Sequence, residues 1–191
     1  MTWTSFVPVV NKSLPPPAVF LDRDGTLMTD VEYCGDPARV AVFPGAGEAL
    51  GRLRTRGYRL VMVSNQSGIG RGYFTEKDFQ DVQAEVFRQL GDAGRLDGAY
   101  HCPERPEGAS DRRKPGAGMF REAAADLGLD LGRSWMVGDS RADVEAGQRA
   151  GLAGTVFVLT GKAPDEHQFC RPDAVVPDLA AAVDCILEES L

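Results

Sequence analysis

The sequence predicts an α/β fold, a doubly wound parallel sheet held between two layers of helices. Three observations predict it. Short apolar runs at residues 19–21, 60–63, 135–137 and 155–159 alternate with stretches of helical period, which is the pattern of repeated βαβ units. The runs are apolar at successive residues, as strands covered on both faces are. Three of them stop abruptly at polar residues, Asp22, Ser64 and Gly138-Asp139, and right-handed crossovers bring the carboxyl ends of parallel strands to one edge.

The elements follow in order. Residues 1–17 read as an extension ahead of a single domain at 18–191. Pro15-Pro16-Pro17 favours an extended entry into the first strand, and Phe6, Val7, Val9 and Val10 suit either packing on a sheet edge or a mobile tail. Residues 28–42 show no helical period and read as a loop crossing above the first strand end, with a short strand at 39–43. Ala49, Leu50 and Leu53 set a helix over 46–56 that Gly57 ends. The second strand, 60–63, runs into Ser64-Asn65-Gln66-Ser67 and the glycine-rich Gly68-Ile69-Gly70-Arg71-Gly72. Such a loop can cradle a phosphate with its backbone N–H groups. Thr75 and Asp78 form a capping pair for a helix to about residue 93, with Phe79, Val82, Val86, Phe87 and Leu90 on its core face. A third short strand at 98–102 leads into a polar loop, 103–115, that holds Arg105, Arg112, Arg113 and Lys114. A helix at 118–127, the strand at 135–137, a helix from Asp143 to Ala150, the strand at 155–159, a last strand at 174–176 and a helix at 179–188 complete the chain.

Composition bounds the partners. With 191 residues, 43% of them apolar, the chain can build a full core. A net charge of −7 argues against a nucleic-acid partner, and no apolar run approaches membrane-spanning length. The first ten residues lack the basic start and apolar run of a secretory signal. Four widely spaced cysteines without a C-x-x-C pair point to a reducing, cytoplasmic setting. A monomer is expected.

The chemistry concentrates at the first strand end. Asp22 stops the apolar run, and Asp24 follows two residues on. Two carboxylates at the carboxyl edge suit a hard divalent cation, Mg²⁺ above others, or a carboxylate nucleophile paired with an acid/base. With the first strand central and the chain reversing beside it, the strands carrying Asp22 and Asp139 become neighbours at the switch point. Carboxylates that close repel unless a cation lies between them.

The segments Asp22-Arg23-Asp24-Gly25-Thr26, Ser64-Asn65, Lys114-Pro115 and Gly138-Asp139 with Asp143 together resemble, in order and spacing, the four motifs of the haloacid dehalogenase (HAD) superfamily of phosphatases. The fuller strings at 20–26, 64–74 and 113–115 resemble the branch that contains heptose-bisphosphate phosphatases and histidinol-phosphate phosphatases. The resemblance implies a HAD-like, Rossmannoid, capless three-layer α/β/α domain acting on a small phosphorylated metabolite. It implies Asp22 as nucleophile, Asp24 as acid/base, and Ser64 and Lys114 on the transferring phosphoryl oxygens. Mg²⁺ is then held by Asp22, the Asp24 backbone carbonyl and Asp139. Substrate contacts are implied at Asp30, Val31, Glu32, Tyr33, Ser64, Asn65, Gln66, Ser67, Arg113 and Lys114. Arg113 would receive a second phosphate, with Arg71 and Arg105 as helpers.

One departure stands out. The branch often holds its third loop with zinc, through a Cys-x-His pair and a later Cys-x-Cys pair. Here the corresponding strings read Cys102-Pro103-Glu104 and Ser110-Asp111-Arg112. A structural zinc needs four ligands, mainly Cys and His, so no zinc is expected, and salt bridges and prolines must order the loop or leave it mobile until substrate arrives. Within enzymes, Gly70-Arg71-Gly72 favours the heptose substrate over histidinol phosphate, with a nucleotide phosphatase third. A non-catalytic phosphate-binding module is the alternative of another class, and the presence of both Asp22 and Asp24 counts against it.

Overall fold

The computed structural model describes residues 14–189. Among these, six strands form one parallel sheet: β1 (Ala18–Leu21), β2 (Arg59–Asn65), β3 (Gly98–Cys102), β4 (Trp135–Gly138), β5 (Gly154–Val158) and β6 (Ala174–Val176). Their spatial order is β3-β2-β1-β4-β5-β6. The chain starts in the middle, steps outward twice, then crosses back to the far side of β1. The winding therefore reverses between β1 and β4, where open α/β sheets leave a crevice. Leu21 pairs with Met62 on one side and Val137 on the other. One residue past Leu21 is Asp22; two past Met62 and Val137 are Ser64 and Asp139.

Helices α1 (Ala46–Thr55), α2 (Ser67–Arg71), α3 (Glu76–Leu90), α4 (Gly118–Leu127), α5 (Arg141–Ala150) and α6 (Leu179–Glu189) fill the connections. Successive residues of a strand point to opposite faces, and β1 shows the result. Val19 and Leu21 join Leu50, Leu53, Val86 and Ile186 in one core, while Ala18 and Phe20 join Met119, Phe120 and Ala146 in the other. Thus α1, α3 and α6 cover one face and α4 and α5 the other. The Phe20 and Phe120 rings lie 4.8 Å apart, centroid to centroid; burying each such side chain is worth about 1.5–3 kcal/mol. No helix among the described residues is long and apolar enough to cross a membrane.

Four expectations need correction. The short strand at 39–43 reduces to an isolated bridge between Met28 and Val42. The preceding residues, Pro37–Arg39, instead wind into a 3₁₀ turn because the Asp36 side chain caps it and Pro37 occupies its first position. Phe87 is 41% exposed: it falls about a quarter turn from the centre of the Phe79–Val82–Val86–Leu90 stripe. Helix α3 ends at Leu90, because Gly91 takes a positive φ of 66° and closes it. The glycine-rich run after β2 is the helical turn α2, and two of its glycines permit close packing: a Cβ on Gly68 would overlap the Phe74 ring and one on Gly70 the Pro103 carbonyl. Phe6, Val7, Val9 and Val10 lie outside the described residues. Pro16 and Pro17 accept backbone hydrogen bonds from Asp130 (3.0 Å) and Arg59 (2.9 Å), which tie the entry to the sheet.

Candidate active site

The crevice between β1 and β4 collects the charges. Asp22 ends β1 and is nearly buried; Asp139 follows β4; Asp143 sits in the first turn of α5. Each offers a carboxylate oxygen within 4.8 Å of the other two. Lys114 arrives from the 103–115 loop, almost fully buried, and its Nζ donates to Asp22 Oδ1 (2.6 Å), Asp143 Oδ1 (2.6 Å) and the Val63 carbonyl (2.7 Å). All three ammonium protons are thereby placed.

Local structure explains why these groups stay put. Asp143 closes a capping box with Ser140: its Oδ2 accepts from the Ser140 N–H at 3.1 Å and the Ser140 hydroxyl at 2.6 Å. Its other oxygen is left to Lys114. Asn65 clamps the Lys114 backbone from both sides, its Oδ1 accepting from Lys114 N (3.0 Å) and its Nδ2 donating to Lys114 O (2.9 Å). The 103–115 loop is itself clasped: Glu104 accepts from the Ser110 N–H (2.6 Å) and hydroxyl (2.8 Å), and Arg113 Nη1 donates to the Glu104 carbonyl (2.9 Å). These bonds tie residues at the positions where the related branch often places zinc ligands.

Burial and mutual repulsion set the electrostatics. Burial raises Asp22; Lys114 pulls it back, and the charges of Asp143 and Asp24 push it up again, to about 7. Burial and the charges of Asp22 and Asp143 raise Asp139 to about 9. Burial alone would lower Lys114, but Asp143 and Asp22 outweigh it and hold the ammonium protonated. Three carboxylates against one ammonium leave two negative charges, the charge of one divalent cation. Without such a cation the carboxylates cannot all ionise at neutral pH. The donors are hard oxygens, as Mg²⁺ requires. Asp139 also sits in a cradle: a Cβ on Gly25, at φ +82°, or on Gly161 would overlap its side chain. The Thr160 hydroxyl donates to the Gly25 carbonyl (2.6 Å), tying the two glycine loops together. The residues present fit a magnesium site.

Beside this cluster opens a cavity of about 430 Å³. Asp24 borders it, and the structure brings Asp30, Val31, Glu32, Tyr33, Asn65, Gln66 and Ser67 to its walls. Tyr33 holds a positive φ of 50° and meets Tyr73 edge to face at 4.7 Å. Ser64 is buried beneath, its Oγ accepting from Gln66 Nε2 at 2.8 Å. Arg113 is not on this wall; it borders a neighbouring cavity of about 380 Å³ with Lys114, Pro115 and Arg149. Of the suggested helpers, Arg105 donates to the Gly70 carbonyl (2.7 Å).

Lys162 escaped the sequence reading, while Asp143 and Arg23 entered it only as parts of motifs, with no site role of their own. Lys162 lines the larger cavity and pairs with Asp30 at 3.2 Å; Gly161 before it was the available signal. Asp143 was noticed only as a motif residue, although an Asp four positions after Asp139 at a helix start could have been read as a ligand. Arg23, inside the first motif, is fully buried beside Asp24.

The geometry has known counterparts. A family model described as HAD-hydrolase-like matches residues 111–182. The D-glycero-beta-D-manno-heptose-1,7-bisphosphate 7-phosphatase of Haemophilus ducreyi is 44% identical over 174 residues, 87% of this chain and 96% of that protein. The protein of the same name from Escherichia coli is 40% identical over 172 residues, covering 86% of this chain and 90% of its own length. The crystal structure of D,D-heptose 1,7-bisphosphate phosphatase from B. bronchiseptica, complexed with magnesium and phosphate, superposes with a TM-score of 0.82 at 30% identity, over 91% of this chain and 99% of that one. With the sheet order, the carboxylate cluster and relatives matching nearly end to end, the chain belongs to the HAD-like hydrolases, as a phosphatase of the branch that contains the heptose-bisphosphate phosphatases.

Proposed function

We propose that this protein removes the 7-phosphate of D-glycero-beta-D-manno-heptose 1,7-bisphosphate, with Mg²⁺ as cofactor and an aspartyl-phosphate as intermediate. The observation that carries the reading is identity with enzymes of that name along almost the whole chain. The cavity supports it: Asp30 and Glu32 present hydrogen-bond acceptors suited to a polyol, and Lys162 adds a cation. Arg113 and Arg149, on the adjoining cavity, suit the second phosphate.

Asp22 attacks phosphorus as the sugar oxygen leaves, so one P–O bond forms on its carboxylate while another breaks. Asp24 gives its proton to the departing oxygen. It then takes a proton from water, whose oxygen attacks the aspartyl-phosphate, releasing phosphate and restoring Asp22. Ser64 and Lys114 hold the transferring oxygens. Asp22, the Asp24 carbonyl and Asp139 would hold Mg²⁺, with Asp143 beside them; when bound, the ion neutralises the carboxylates and the phosphoryl charge together. Positioning and charge neutralisation are most of what phosphoryl transfer asks. The 103–115 loop works without zinc in this reading, and the Glu104–Ser110 clasp supports it.

The carboxylates of Asp30 and Glu32 would also suit the cationic amine of histidinol phosphate, the second reading. Phosphate release from the two compounds decides: kcat/KM is expected to be at least tenfold higher on the heptose bisphosphate, a difference of about 1.4 kcal/mol in transition-state binding, and the reverse order would transfer the assignment. The Asp139 cradle gives a second expectation. Gly161→Ala should raise the Mg²⁺ concentration needed for half-maximal activity by about 10–100-fold, as disturbed support of a metal ligand does. An unchanged Mg²⁺ requirement would remove Asp139 from the metal site.

A further inference from the structure

Between Asp22 and Asp24 the chain buries an arginine completely. Arg23 turns one edge of its guanidinium onto Asp24: Nε and Nη2 reach both carboxylate oxygens at 2.9–3.3 Å. The same Nη2 donates to Gln66 Oε1 at 3.2 Å. Gln66 in turn donates from Nε2 to Asp24 Oδ2 (3.0 Å) and to Ser64 Oγ (2.8 Å). The guanidinium lies 5.5 Å from the centroid of the buried Phe79 ring. Asp24 is thus gripped on both oxygens by a fork that cannot swing, and the grip continues through Gln66 to Ser64.

A burial this complete is costly for a cation, and a merely structural role would be met as well by an apolar side chain. Arg23 does not use its whole capacity, either: Nη1 is buried with no hydrogen-bond partner. What the fork does achieve is orientation. The Asp24 side chain is partly open to solvent, and without the fork it would be free to turn. Held by Arg23, it stays on the wall of the cavity where a leaving group would lie.

The geometry points to Arg23 as the positioning residue of the acid/base, with Gln66 as the link that sets Asp24 and Ser64 relative to each other. This rests on Asp24 acting as general acid. It makes a demand that core packing does not. The alkoxide that leaves an alkyl phosphate needs the acid's proton; the p-nitrophenolate that leaves p-nitrophenyl phosphate is a stable anion and scarcely needs it.

The test measures kcat/KM for a sugar phosphate and for p-nitrophenyl phosphate, with Mg²⁺, in wild type, Arg23→Met, Arg23→Lys and Gln66→Leu. The ratio of the two rates within one preparation does not depend on how much of it is folded. Arg23→Met is expected to lose about 10²–10³-fold on the sugar phosphate, the range of general acid catalysis, and less than about tenfold on p-nitrophenyl phosphate. Arg23→Lys should recover part of the selective loss, because a shorter ammonium can still reach one oxygen. Gln66→Leu should shift the ratio in the same direction by a smaller factor. Equal losses on both substrates, or none on either, overturn the assignment. A wild type that releases phosphate from neither overturns the phosphatase reading beneath it.

Discussion

Asp22→Asn should all but abolish phosphate release, by about 10⁴-fold or more, the scale on which removal of a nucleophile acts in enzymes that work through a covalent intermediate. The amide matches the carboxylate in shape, so β1 and its neighbours need not move. Stability should not suffer. The wild-type carboxylate is held at about 7, above its ordinary value, because burial and the charges of Asp143 and Asp24 together outweigh the attraction of Lys114. A neutral side chain is therefore easier to bury there than a charged one, and Lys114 keeps Asp143 and the Val63 carbonyl as acceptors. The metal-free variant is expected to unfold at or above the wild-type temperature, and to gain less than wild type when Mg²⁺ is added. Steady-state phosphate release and thermal unfolding with and without Mg²⁺ check both halves. A variant within tenfold of wild-type turnover would exclude the covalent route.

The fold was legible because each strand of the site announces its own end. Leu21 before Asp22 and Val137 before Gly138 mark a change from apolar to polar in a single step, and right-handed crossover does the rest. Asp22, Ser64 and Asp139 could therefore be gathered in advance although most of the chain separates them; Lys114, on a loop, joined them only through the resemblance, and the structure brings it onto Asp22. What was hidden depends on distances that no periodicity carries. Phe87 sits at the flank of the apolar stripe, about a quarter turn from its centre, where only the neighbours packed against α3 decide how far it is covered, and it is left exposed. The run from Gly68 to Gly72 has the composition of an anion-binding loop, yet Phe74 and Pro103 press so close that glycine is needed for room. Lys162 lies far from the motifs in the chain and reaches the cavity only because β5 sits beside β4. Asn65 has the chemistry of a ligand contact, and its amide is occupied with the Lys114 backbone. Motifs report which groups a site contains; their partners are settled by the packing around them.

Lys114→Met should be damaging in two separable ways. The ammonium is the counterion that two buried carboxylates share, at 2.6 Å from each. Removing it leaves Asp22 and Asp143 uncompensated, and breaking a buried pair in this way costs about 3–5 kcal/mol. Denaturant unfolding of the metal-free protein should show that loss, and Mg²⁺ should restore part of it by supplying positive charge to the same cluster. Turnover should fall as well, by about 10²–10³-fold, the price of one preorganised donor to the developing charge. The two effects come apart when Asp143→Asn is added. The second change removes one of the two stranded carboxylates while keeping an oxygen to cap α5, so the double variant should regain part of the stability. It should stay slow, because no ammonium faces the phosphoryl oxygens. If turnover returned along with stability, Lys114 would be a structural counterion and nothing more, and the transferring phosphate would need another partner.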